Sequence, residues 1–249
     1  MNKKTLSIIA AVTLGLTLVV NVVSTFGLLG VTPVKDISDK FSNLLVPMGY
    51  TFSVIWTLIY VGLIIYTVRD LTRKEDKYNI NLLFILTNIL NALWIITYTG
   101  GWYLLSTLTI IGLFIVLAMI TLSIKDMGIE KIIFSVYTTW ILVASAVSIL
   151  GLLVSLNFTA FDSLLMKVVS VLLIATTLIF VLMNRNNIAM KITYVFALAG
   201  IAANHIFKFN FAYLDLMIIV GIVVAYVLYA LFNELFDGSS KEVRPHEAL

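Results

Sequence analysis

Residues 102–124 read WYLLSTLTIIGLFIVLAMITLSI, a run with no charged residue, bounded by Gly101 and Lys125. At 1.5 Å of rise per residue, a helix of this length crosses the roughly 30 Å hydrocarbon core of a bilayer. The apolar residues do not alternate with polar ones, so the run does not read as a strand of a membrane barrel. Moving outward, comparable runs occupy residues 5–26, 50–68 and 80–98 before it and 132–154, 163–183, 188–206 and 213–232 after it. The 249-residue chain is 61% hydrophobic and 12% charged, with a mean hydropathy of +1.08. That leaves too little polar material to coat a water-soluble domain. The expected fold is an all-α integral membrane protein with about eight spanning helices and the lipid bilayer as its main surroundings. No nucleic-acid partner is expected.

The charges between the runs agree with this count. Lys3, Lys4, Arg69, Arg73, Lys74, Lys77, Lys125, Lys131, Arg185, Lys191, Lys241 and Arg244 belong to one alternating set of connections. Lys35, Lys40 and Lys208 belong to the other, with Lys167 just inside a span. Twelve against four, alternating through all eight spans, places both termini in the cytoplasm by the positive-inside rule, and the expected location is a plasma membrane, a bacterial one being compatible with the pattern. The first run follows two lysines as a secretory signal would. It is longer than a signal core and lacks a small-residue cleavage site, so it reads as a retained span. The absence of cysteine removes disulfide and thiolate chemistry.

No Asp, Glu, Lys or Arg falls at the middle of a run, which argues against an ion-coupled transporter or proton pump. Lys167, Lys191 and Asp215 lie near span ends and are expected to snorkel to the interface. His205, near the outer end of the seventh span, reads as an interfacial hydrogen-bonding residue; the other histidine, His246, is in the tail. No metal cluster, carboxylate pair or nucleophile–base pair is legible, so no catalytic residue is assigned.

Three stripes carry the functional reading. Phe52, Trp56 and Tyr60 share one face of the second span at steps of four. Asn88, Asn91, Trp94 and Tyr98 follow steps of three and four on the third. Tyr137, Trp140, Ala144 and Ser148 do so on the fifth. Taken singly, each stripe reads first as helix packing, and Asn91 as an interhelical hydrogen bond. An amide in hydrocarbon must face protein or ligand. Turned together, the three faces would enclose an apolar cavity with a few placed donors, suited to a flat hydrophobic molecule. The small residues Ala199, Gly200, Ala202 and Ala203 on the seventh span read as a close helix contact.

The segment from Pro47 to Tyr60, PMGYTFSVIWTLIY, resembles the signature P-P-x-W-x-F-x-P-V-W-T-x-L-Y of the TspO/translocator-protein family, the tryptophan-rich sensory proteins, through Pro47, Phe52, Trp56, Thr57 and Tyr60. Leu90, Asn91, Trp94 and Tyr98 are similar to that family's L-N-x-x-W-x-x-x-F/Y. Tyr137, Trp140 and Ala144 are similar to its P-Y-x-x-W-x-x-x-A. Met48, Tyr50, Val54, Val136 and Ser148 stand where the family carries Pro, Trp, Pro, Pro and Asn. Without a proline at Val54 the second span should be less kinked, and Tyr50 alters the loop that closes the pocket.

The resemblance covers residues 1 to about 155. It implies a five-helix bundle over 1–155, three further helices over 156–236 and a polar cytoplasmic tail over 237–249. It further implies a pocket with Trp56, Asn91 and Trp140 as ligand contacts and Tyr60, Trp94, Tyr137 and Ala144 as walls, flanked by Tyr50, Phe52 and Ser148. Family members bind porphyrins, sterols or isoquinoline-type drugs, and many are homodimers. The expected function is a sensor or carrier for such ligands, a porphyrin or haem-type molecule among them, with no cofactor required. Light-dependent porphyrin breakdown is an activity the resemblance implies. The alternative is an eight-helix facilitative transporter for a small apolar substrate.

Overall fold

The computed structural model describes residues 2–74, 80–157, 163–208 and 210–241, with no side chains described from 237 onward. Lys77, the joint at 158–162, Arg244 and His246 lie outside the described residues. Among those described, the fold is all helical, and eight helices are long and apolar enough to span a membrane. They are α1 (Lys3–Phe26), α3 (Gly49–Thr72), α4 (Asn81–Thr99), α5 (Tyr103–Ser123), α6 (Ile129–Ser155), α7 (Leu164–Met183), α8 (Ile188–Phe207) and α9 (Leu214–Lys241). A short helix, α2 (Val34–Lys40), lies in the connection after α1. Every expected span is present. α9 continues as helix to Lys241, past the expected start of a frayed tail at residue 237.

The contacts arrange the first five spanning helices as a ring. α1 packs on α4, α4 on α5, α5 on α6, α6 on α3, and α3 on α1 again. The last three helices contact one another and meet the ring at α6 and α3. α3 runs as helix from Gly49 to Thr72 through Val54. Large apolar side chains such as Leu16, Leu58, Leu108 and Ile222 remain exposed around the outside, as a hydrocarbon-facing surface requires.

Polar residues are turned inward instead. The buried face of α1 is Ser7, Ala10, Leu14, Thr17, Asn21 and Ser24, steps of three and four made of small and polar residues. It meets the amides of α4: Thr17 Oγ1 donates to the Asn88 carbonyl at 2.8 Å, and Asn88 Nδ2 donates to the Ala10 carbonyl at 3.3 Å. Near the end that carries the start of α1 and the close of α3, Asn81 Nδ2 donates to Asp70 Oδ2 at 3.0 Å and Tyr66 donates to Asn81 Oδ1 at 3.0 Å. Lys3 pairs with Asp70 at 3.4 Å, and both Arg69 and Arg73 pair with Glu130.

Lys191 does not snorkel. It is 1% exposed and holds both carboxylate oxygens of Glu234 on α9, at 2.8 and 2.7 Å. A partner one helix away makes burial tolerable where the head would otherwise need water. Lys167 and Asp215 pair with each other at 2.7 Å at the opposite end.

Gly200 is the tightest joint between the two helix groups. A Cβ there would come within 2.6 Å of Thr51 Oγ1 and Cγ2, and the Gly200 carbonyl accepts from Met48 N at 3.0 Å. Thr51 is β-branched and buried at the start of α3, so it cannot swing aside. Gly200→Ala should therefore destabilise the protein by about 1–3 kcal/mol. Gly221→Ala on α9, with nothing within 4 Å, should be neutral or stabilising. Thermal unfolding in detergent distinguishes the two; equal midpoints would mean that α3 and α8 are not in close contact.

Candidate functional site

The three stripes converge. α3 brings Phe52, Trp56 and Tyr60 to the inside of the ring, α4 brings Asn91, Trp94 and Tyr98, and α6 brings Tyr137 and Trp140. Trp56 is the hub. Its ring stacks on Tyr60 at 5.2 Å between centroids and on Trp94 at 5.8 Å with 16° between planes, and meets Tyr137 edge-on at 6.2 Å. Phe52 joins it to Trp140, with centroids 6.0 Å from Trp56 and 6.2 Å from Trp140. The rings continue outward from Trp94 to Tyr98 at 6.3 Å, on to Tyr103 at 6.3 Å, and to Phe41 of the loop after α2 at 4.6 Å. Seven residues after the start of α3, Trp56 lies about 10 Å below the bundle end that carries this loop.

Beneath the rings runs a chain of amides. Asn21 Nδ2 donates to Asn91 Oδ1 at 2.8 Å, and Asn91 Nδ2 donates to the Tyr137 hydroxyl at 2.7 Å. The chain ties α1, α4 and α6 together at one level. Asn91 thus makes the interhelical bond that its residue type suggested, and the Tyr137 hydroxyl, accepting from Asn91, still carries a proton of its own to donate.

The rings are less well provided. Among the described residues, Trp56 Nε1, Trp94 Nε1, Trp140 Nε1 and the Tyr60 hydroxyl are buried with no hydrogen-bond partner. Most buried polar groups in proteins are paired, and leaving a donor unpaired costs about 1–3 kcal/mol each. Four such groups in one cluster, all able to donate, mark it off from ordinary aromatic packing.

The remaining expected site residues take other places. Ala144 is half-buried and packs against the same core. Ser148, one turn on, is half-buried, and its carbonyl accepts from Thr107 on α5 at 3.4 Å. Tyr50 is 56% exposed in the first turn of α3, away from the ring cluster. A family model described as TSPO-like protein matches residues 7–232, from α1 into α9. The chain belongs to that family. No curated protein and no solved structure matches it. The recognised motifs end near residue 155, whereas the TSPO-like match continues through α7 and α8.

Sequence reading did not single out Asn21, although polar and small residues spaced by three and four along the first span pointed to a protein-facing stripe. It expected the loop after the first span to close the pocket, but not that Leu44 and Leu45 of that loop, 0% and 2% exposed, would share the core with Trp56, Trp94 and Trp140. If the Asn21–Asn91 bond ties α1 to α4, Asn21→Ala and Asn91→Ala should each destabilise the protein by about 1–3 kcal/mol. Their effects should also be coupled by about 1 kcal/mol in a double-mutant cycle read by unfolding. Strict additivity would remove the link.

Proposed function

We propose that this TSPO-like protein is a membrane sensor or carrier that binds a flat, apolar, acceptor-bearing molecule among Phe52, Trp56, Trp94, Tyr137 and Trp140. The observation that carries the reading is the set of unpartnered ring donors on Trp56, Tyr60, Trp94 and Trp140. Carbonyl, carboxylate or ring-nitrogen acceptors on a ligand would satisfy them, while the ring faces supply stacking area. Asn91 contributes indirectly, by fixing Tyr137, whose hydroxyl proton is then free for a ligand.

Porphyrins and sterol-like molecules fit this chemistry in different ways. A porphyrin offers a wide π face and carboxylates, whereas a sterol offers rigid apolar area and a single polar end. A ligand ring placed between Trp56 and Trp94 must part them, since two stacked contacts need about 7 Å between the outer planes and these centroids are 5.8 Å apart. The Lys and Arg bias of the connections supports cytoplasmic termini in a bacterial plasma membrane.

Protoporphyrin IX titrated into the purified protein and followed by its own absorbance tests the site. Trp140→Phe and Trp56→Phe keep a ring but delete an N–H, and each should weaken binding about fivefold, the weight of one ordinary hydrogen bond. Trp56→Ala also removes stacking and should weaken it by a further factor of about ten. Affinities within twofold of the parent for all three would end this assignment.

A further inference from the structure

The segment from Ser42 to Met48 lies as a strap along the last two turns of α8, running antiparallel to it, with a turn at Leu44–Leu45 closed by Asn43. Met48 N donates to the Gly200 carbonyl at 3.0 Å, and Asn204 Nδ2 donates to the Val46 carbonyl at 3.0 Å. His205 Nε2 meets the Leu44 carbonyl at 2.8 Å, and Lys208 Nζ donates to Ser42 Oγ at 3.2 Å. A carbonyl oxygen only accepts, so Nε2 of His205 carries the proton. Met48, Val46 and Leu44 are thus bonded to α8, and Ser42 to Lys208 just past its end. On the other edge, Asn43 Nδ2 donates to the Val147 carbonyl of α6 at 3.0 Å. The strap is bonded to both α6 and α8 at the bundle end nearest the aromatic cluster. Leu44 and Leu45 fill the core below it, and Phe41 continues the line of rings.

Backbone groups of a loop in such a position need partners, and side chains of α8 supply two of them. Asn204 answers the Val46 carbonyl and His205 the Leu44 carbonyl. Neither residue touches the aromatic rings of the proposed site.

We propose that Asn204 and His205 are positioning residues that clasp this strap over the aromatic cluster, and that release of the strap from α8 is the route from the aqueous phase to the rings. Through α8 the chain beyond the five-helix ring thereby joins the binding apparatus. The consequence for ligand exchange rests on the binding role proposed above; the route itself does not.

The chain has no cysteine, so a single introduced thiol reports access without background. Ala144→Cys places one a turn deeper than Val147, on the helix that holds the strap's other edge. Leu117→Cys, fully buried on α5, serves as a reference away from the strap. With the protein in nanodiscs, the rate of modification by a charged, lipid-insoluble methanethiosulfonate is measured at each. His205→Ala and Asn204→Ala should each raise the Ala144→Cys rate about fivefold, as expected for one lost hydrogen bond. His205→Gln, which keeps a donor for the Leu44 carbonyl, should react at the parent rate. Leu117→Cys should be unchanged in all backgrounds. The proposal is overturned by an unchanged Ala144→Cys rate, by equal acceleration in the glutamine and alanine variants, or by Leu117→Cys accelerating as much. The last outcome would mean that these residues hold the whole bundle and not the strap. Because no ligand takes part, the clasp and the binding role can fail separately.

Discussion

Hydrocarbon supplies no hydrogen-bond partner, and the interior of this protein is organised by that constraint. Between spanning helices apolar contact discriminates little, because lipid is as good a neighbour as leucine. What sets one helix against another is the need of Ser, Thr and Asn side chains to find acceptors and donors. α1 shows this plainly: Val12, Leu16, Val19 and Val22 are exposed, while Ser7, Thr17, Asn21 and Ser24 lie on its buried face with Ala10 and Leu14. They meet Asn81, Asn88 and Asn91 of α4, so three amides on one helix and a polar stripe on another define a single register. The pairing at the level of Asn21, Asn91 and Tyr137 then places α6, and with it Trp140, at a defined height against Trp56.

The same constraint explains how charge is handled. Asp70, Glu130 and Lys191 are all buried near helix ends, and each has an opposite charge within reach. A lone buried charge would cost several kcal/mol, and a pair repays most of this only if both partners are held in place. Lys3 and Asp70 join the N-terminus to the end of α3, and Lys191 and Glu234 join α8 to α9. These pairs sit where a rigid bundle needs pinning and where water is close enough to reduce the desolvation. None reaches the level of the aromatic cluster, so the cluster contains donors but no ion.

How much was legible from the residues follows from the range of each interaction. The eight spans depend on local hydropathy and length, and the ring stripes on a local period of three to four; both are written in short windows, and the helices and the convergence of Phe52, Trp56, Asn91, Trp94, Tyr137 and Trp140 follow. Asn21 was equally local in its pattern but lay in a run dominated by valine and leucine. Lys191 looked interfacial because its partner, Glu234, is 43 residues away. The strap was the least legible, since nothing near Leu44 in the chain announces that its carbonyl meets His205, 161 residues later. Tyr50, taken from a motif position, is exposed because the chain turns into α3 only at Gly49, before the helix has entered the bundle.

A distinction remains between the two kinds of polar group at the centre. Packing and binding make the same demand on an aromatic ring, so stacking distances alone do not separate them. Hydrogen bonds do. The amides Asn21, Asn88 and Asn91 are satisfied by neighbouring helices, as structural residues are. The indole nitrogens of Trp56, Trp94 and Trp140 and the hydroxyl of Tyr60 are not, although they are buried a few ångströms away in the same bundle. Phenylalanine or leucine would fill that volume without the penalty of an unpaired donor. Tryptophan in all three places makes sense if the N–H groups act on something besides the protein. All four groups are donors, which is why the binding role proposed above calls for an acceptor-bearing molecule.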